Sequence, residues 1–208
     1  MTDLQGALRS GTTIEAIAAS LDALDHAERL RQTRALRPAD QATLYRLAEG
    51  RHTTLEFFVP AGTPHGAEVI HDGINTLPGI GGTFQKRFAR DPDDPHRLLG
   101  YNHNNSGIVS HLFWFTGPGY FVVRETGSDS PDGRTDHGGQ LFVNYYEQPA
   151  TAPVNSWPHP KPPVGFSAGL VWGQMCDYMW RVSAHVSIGA AFKKGRAMNQ
   201  YFVLVRTG

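Results

Sequence analysis

Between Ile108 and Tyr146, apolar and aromatic positions dominate three runs: IVSHLFWFT, GYFVVRET and QLFVNYY. Gly117-Pro118 separates the first two, and the polar stretch SDSPDGRTDHGG separates the second from the third. Short runs rich in β-branched and aromatic residues, bounded by turn formers, predict three consecutive antiparallel strands. If Gly117-Pro118 closes the first hairpin, His111 stands opposite Arg124. Setting Thr126 opposite Gln140 across the longer loop places Val122 against Asn144 and Tyr120 against Tyr146. Strand side chains alternate between two faces. One face then carries Ile108, Leu112, Trp114, Phe121, Val123, Leu141, Val143 and Tyr145, a plain core pattern. The other mixes Phe113, Phe115 and Phe142 with His111, Tyr120, Arg124, Asn144 and Tyr146.

The pattern changes period on either side. Residues 12 to 50 read as three short helices with apolar stripes at Ile14, Ile17, Leu21 and Leu24, then Leu30 and Leu36, then Leu44 and Leu47. Thr12 with Glu15, Asp25 with Glu28, and Pro38 give the start signals, and Gly50 the stop. Helices this short need tertiary packing, so they are expected to cap the β-domain. TTLEFFV at 53–59 reads as a short strand stopped by Pro60. From Ala61 to Asn105 breakers dominate, and only the Phe84 and Phe88 pair suggests order, as an isolated helical turn. The proline density of QPATAPVNSWPHPKPPVG predicts an extended surface crossing, and residues 170–182 lean towards a short helix. AHVSIGAAF and NQYFVLVR form a terminal hairpin around KKGRAM, with Ala184, Val186, Ile188, Ala190 and Phe192 on one face and His185 and Ser187 on the other.

The fold expected is therefore mainly β (α+β). A curved antiparallel sheet, barrel or sandwich over residues 51–208 follows a three-helix segment over residues 1–50. Composition agrees: charged residues make up 18 %, below the usual ~25 %, and 23 glycines and 14 prolines supply many turns. A chain of 208 residues is long enough to bury a core without staples. Zero formal charge argues against nucleic acid as a partner. No stretch approaches the ~20 apolar residues of a membrane helix, and the start MTDLQGALRSGTT lacks a signal-peptide pattern. With one cysteine, Cys176, a cytoplasmic location is expected and no internal disulfide can form.

Motifs with chemistry are scarce. GIGGTF at 79–84 lacks the lysine and hydroxyl residue of a phosphate loop and the spacing of a dinucleotide fingerprint. Asp129, Asp132, Asp136 and His137 share one loop without the order of a calcium site, and none of the ten histidines has zinc-ligand spacing. His103 and His185 stand in the more protected segments. Cys176 has apolar neighbours rather than the basic ones that activate a thiol, and no nucleophile elbow is present. Nothing calls for a cofactor or metal. What remains is the mixed face of the central strands. Apolar walls with a few placed polar groups are how small-molecule sites are lined.

Three functions follow from that face. The first is non-covalent binding of a small, largely apolar ligand with an anionic group, through His111, Tyr120, Arg124, Asn144 and Tyr146. The second is a cofactor-independent acid-base enzyme in the same pocket, with His111 moving a proton and Arg124 stabilising charge. The third is a structural or self-assembling protein, since low net charge favours association and homo-oligomers.

Overall fold

The computed structural model describes residues 3–75, 82–104, 119–126, 138–160 and 175–208. Eight antiparallel strands close into one barrel in chain order: β1 (Val69–Asn75), β2 (Gly82–Arg90), β3 (Leu98–Asn104), β4 (Tyr120–Glu125), β5 (Leu141–Asn144), β6 (Met175–Arg181), β7 (Val186–Lys193) and β8 (Arg196–Arg206). β1 pairs with β8 from His71↔Arg206 to Asn75↔Phe202, and that pairing closes the ring. Closure removes the sheet edges on which an open sheet would aggregate. The mainly-β expectation holds, and of its three forms the barrel is the one adopted.

The register of β4 with β5 follows the sequence reading. The other neighbour of β4 is β3, from Leu98↔Val123 to Tyr101↔Tyr120, where the sequence pattern sets the run 108–116 with His111 opposite Arg124. Val122 faces Asn144, and the Thr126 amide donates to the Gln140 carbonyl at 3.2 Å. Phe121, Val123, Leu141, Val143 and Tyr145 belong to the cluster that fills the barrel. The run 108–116 lies outside the described residues, so its strand and the place of His111 are not part of this description.

Residues 61–105 depart from the expected irregular segment. Most of them form β1, β2 and β3, and Phe84 and Phe88 lie on a strand, not on a helical turn. Their glycines are breakers only in isolation. Gly73 pairs with Phe84 and Gly100 with Phe121, and the ring of each partner lies so close over the glycine that a Cβ would collide with it. An eight-stranded barrel is narrow inside, and glycine opposite phenylalanine makes room for the ring. Residues 175–181 are likewise the strand β6, not a helix. Burial on both faces erased the alternation that would have marked it.

The N-terminal region has one helix more than expected. α1 (Leu4–Arg9), capped by Asp3, precedes α2 (Ile14–Asp22), α3 (His26–Arg34) and α4 (Pro38–Leu47). Asp25 caps α3, with Oδ1 accepting from the Glu28 amide at 2.8 Å, and Pro38 occupies the first turn of α4. For α2 the cap is Thr13, one residue later than expected. Ile17, Leu21 and Leu44 pack on Val186, Ile188, Val203 and Val205, the outward residues of β7 and β8. The terminal hairpin therefore turns its apolar face towards the helices, and Ser187 towards the interior.

TTLEFFV is also not a strand. Thr54 caps a single helical turn, α5 (Leu55–Phe58), by accepting from the Phe57 amide. Its Phe57, Phe58 and Val59 join the interior cluster at the end of the barrel where β1 begins and β8 finishes. Phe58 is fully buried, with ring centroids 4.8 Å from Phe88 and 5.1 Å from His71. A Phe58→Ala variant is expected to lose about 3–5 kcal/mol in urea unfolding, the usual cost of a large buried aromatic. A loss below about 1 kcal/mol would mean that α5 does not plug the barrel.

Candidate functional site

Of the five residues expected from sequence to form a site, the four described ones point away from the barrel interior. β4 and β5 turn Phe121, Val123, Val143 and Tyr145 inward, so alternation sends Tyr120, Arg124, Asn144 and Tyr146 outward. Tyr120 packs with Tyr101 and Trp157, and its hydroxyl donates to the Pro158 carbonyl at 2.5 Å. Arg124 donates to both carboxylate oxygens of Glu147, at 3.1 and 3.2 Å. Asn144 accepts from the Tyr146 amide at 2.9 Å, and the Tyr146 side chain is the exposed one of the set, at 41 %. Val154 and Trp157 of the proline-rich run pack on Tyr101 and Tyr120, and the Trp157 indole donates to Glu68 at 2.6 Å.

Inside the barrel the sequence pattern conceals a different constellation. β2 places Lys86 between Phe84 and Phe88 on its inward face, and β3 brings Asn102 beside it in register. Tyr145 follows directly on β5, and β6 contributes Asp177. All four side chains are buried. Lys86 Nζ donates to Asp177 Oδ2 and to Asn102 Oδ1, each at 3.2 Å, and to the Tyr145 hydroxyl. The Tyr145 hydroxyl in turn donates to Asp177 Oδ2 at 3.1 Å and accepts from Asn102 Nδ2 at 3.3 Å. Three rings surround the ammonium: its distances to the centroids of Phe121, Tyr145 and Phe202 are 4.7, 4.9 and 5.0 Å. The four groups lie in the half of the barrel away from α5.

Burial dominates their titration. It pushes the Lys86 amine down and the Asp177 carboxyl up, and the attraction between the two only partly offsets this. The Tyr145 phenol is held well above its ordinary range, first by burial and then by the Asp177 charge. Burial thus draws both members of the ion pair towards their neutral forms.

Sequence reading missed Lys86, Asn102 and Asp177, and counted Tyr145 as ordinary core. A signal was present: Lys86 is a lone charge between two phenylalanines at strand spacing, and Asp177 a lone carboxylate inside the apolar run MCDYMW.

Other candidates add little. Cys176 is buried among Phe142, Tyr178 and Phe192 on the outer wall. His103 stands edge-on to Tyr101, and burial lowers its pKa, as it does for His185. The loop with Asp129, Asp132, Asp136 and His137 lies outside the described residues, among which no group of three or more potential ligands could hold a metal ion. A groove of about 570 Å³ beside α5 contains Arg90 and Arg97. Arg90 is bound to the Pro60 and Thr63 carbonyls, and Arg97 to Asp91 and Glu147. No described helix is long and apolar enough to cross a membrane. Comparison of the chain with known protein families, curated proteins and solved structures finds no match.

Proposed function

We propose that the protein binds a small, largely apolar ligand inside its barrel, with the ligand's anionic group set against Lys86. The observation that carries this reading is the convergence of Asn102, Tyr145 and Asp177 on one buried ammonium in an interior of phenylalanine and methionine. Stability does not require it. A buried ion pair is often no better than apolar residues of similar volume, and it is sometimes worse. Eight-stranded barrels are just wide enough to be filled by side chains or to hold one small ligand. An apolar ligand meets Phe121 and Phe202, and its polar end finds the Lys86 ammonium.

A carboxylate arriving at Lys86 takes over the role of the Asp177 carboxylate, which then accepts a proton. Burial already raises the Asp177 pKa, the direction this proton uptake follows. Binding therefore takes up a proton, and affinity for a carboxylate is expected to rise as pH falls through the range in which Asp177 titrates. Cinnamate and decanoate are suitable probes for calorimetry in buffers of different ionisation enthalpy. Heat signals showing binding with proton uptake, weakened by Lys86→Met, support the reading. Absence of binding by apolar carboxylates of every length refutes it.

A further inference from the structure

We propose that Lys86 condenses reversibly with an apolar aldehyde or ketone inside the barrel, forming a protonated Schiff base with Asp177 as its counterion. The proposal rests on the barrel admitting an apolar ligand as far as Lys86, but not on that ligand carrying an anionic group.

Imine formation needs a neutral amine, an acid for the departing oxygen, a carboxylate to balance the iminium and protection from bulk water. All four are in contact here. Asp177 lies 3.2 Å from Lys86 Nζ and can take its proton, leaving the amine lone pair free. The nitrogen then attacks the carbonyl carbon, forming the C–N bond, and the carbonyl oxygen is protonated by the Tyr145 hydroxyl, which contacts both Nζ and Asp177. The adduct nitrogen gives its second proton back to the Tyr145 oxygen, leaving the neutral carbinolamine. Asp177 then returns its proton through Tyr145 to the carbinolamine hydroxyl as the C–O bond breaks and water leaves. In sum, one ammonium–carboxylate pair and one carbonyl compound give one iminium–carboxylate pair and one water, with no oxidant or reductant. Asn102 holds the tyrosine hydroxyl from the other side at 3.3 Å.

The surroundings favour the product. Rings of Phe121, Tyr145 and Phe202 within 5.0 Å of Nζ stabilise a cation there, and an iminium spreads its charge over a flatter group than ammonium does. Burial also lowers the Lys86 pKa, in the direction that favours a nucleophilic amine. The chain's other lysines are Lys161, Lys193 and Lys194. Lys193 and Lys194 flank the β7–β8 turn, and Lys194 is exposed.

The test uses trans-cinnamaldehyde on the full chain, with cinnamate and cinnamyl alcohol as non-condensing analogues and sodium cyanoborohydride to reduce any iminium to a stable amine. Thermal shift reports binding, and peptide mass mapping reports where the aldehyde, less its oxygen, has been added. The expected result is one adduct at Lys86, formed about tenfold faster than at Lys193 or Lys194, as for a lysine desolvated towards neutrality. Before reduction, absorbance red-shifted from the free aldehyde should mark the protonated imine. At matched aldehyde occupancy, Tyr145→Phe should slow trapping at Lys86, because the acid for the departing oxygen is gone. If aldehyde and analogues raise the melting temperature but no adduct maps to Lys86, the Schiff-base proposal fails and the binding reading stands. If none of the three binds and no adduct forms at Lys86, both fall.

Discussion

Lys86→Met is expected to lower the unfolding free energy at pH 7 by about 3–5 kcal/mol, and Lys86→Met with Asp177→Leu to regain most of that loss. Asp177 is 3 % exposed and would keep only Tyr145 as a hydrogen-bond partner once Lys86 is gone. An uncompensated buried carboxylate is far costlier than a buried pair, and its escape is to protonate. The single variant should therefore recover part of its stability as pH falls, whereas the double variant should not show that pH response. In the double variant Tyr145 and Asn102 still bond to each other, so the groups that lose a partner, the Asn102 Oδ1 and the Tyr145 hydroxyl hydrogen, are uncharged. Urea unfolding at several pH values measures all three proteins. A single-variant loss under about 1 kcal/mol would show that water reaches the pair. If the double variant is as stable as the parent yet binds no carboxylate, the charges are retained for binding rather than for the fold.

The second large effect comes from acid. His71 is fully buried, stacked on Phe58 and edge-on to Phe88 at 4.8 Å, with Nε2 3.0 Å from the Phe58 carbonyl oxygen. Only a protonated Nε2 can donate to that carbonyl, so the neutral ring carries its lone pair on Nδ1, which has no partner. Burial, aided by the Arg206 charge, pulls the His71 pKa down to about 3, although the carbonyl bond opposes the shift. The unfolded chain's histidine takes up its proton near pH 6.5, while the folded one refuses it until about pH 3. Across that window the unfolded state binds more protons, so stability falls as pH falls. The full loss is roughly 4–5 kcal/mol by pH 3. Asp177 acts with the opposite sign, because its raised pKa makes the folded state the better proton binder. The His71 contribution is therefore read as the difference between parent and His71→Asn in unfolding free energy from pH 7 to pH 3.5. The variant should lose stability less steeply by up to one proton. Parallel curves would mean that the imidazole is not held neutral in the barrel.

Much of the local structure was legible in the chain, because local chemistry decides it. Asp25 caps α3 and Pro38 opens α4 through groups only a few residues apart. The pairing of Val122 with Asn144 follows from alternation on two neighbouring strands, and the β7–β8 hairpin from a short turn between two apolar runs. Where such cues are weak, reading failed. β1 to β3 looked irregular because Gly73 and Gly100 make sense only beside the Phe84 and Phe121 rings they accommodate. β6 looked helical because it is buried on both sides.

The mixed face of the central strands shows the limit most clearly. On β4 and β5 its alternation was correct, but alternation cannot say which face a closing sheet turns inward. Closure put Tyr145 inside and sent Arg124 out to Glu147. It also carried Lys86 to Asp177, 91 residues away, across a barrel that no local signal measures. The sequence by itself determined the strands β4, β5 and the terminal hairpin, the β4–β5 register, and the starts of α3 and α4. Only the tertiary structure decided the inside of the barrel, because facing and long-range convergence depend on all eight strands closing together.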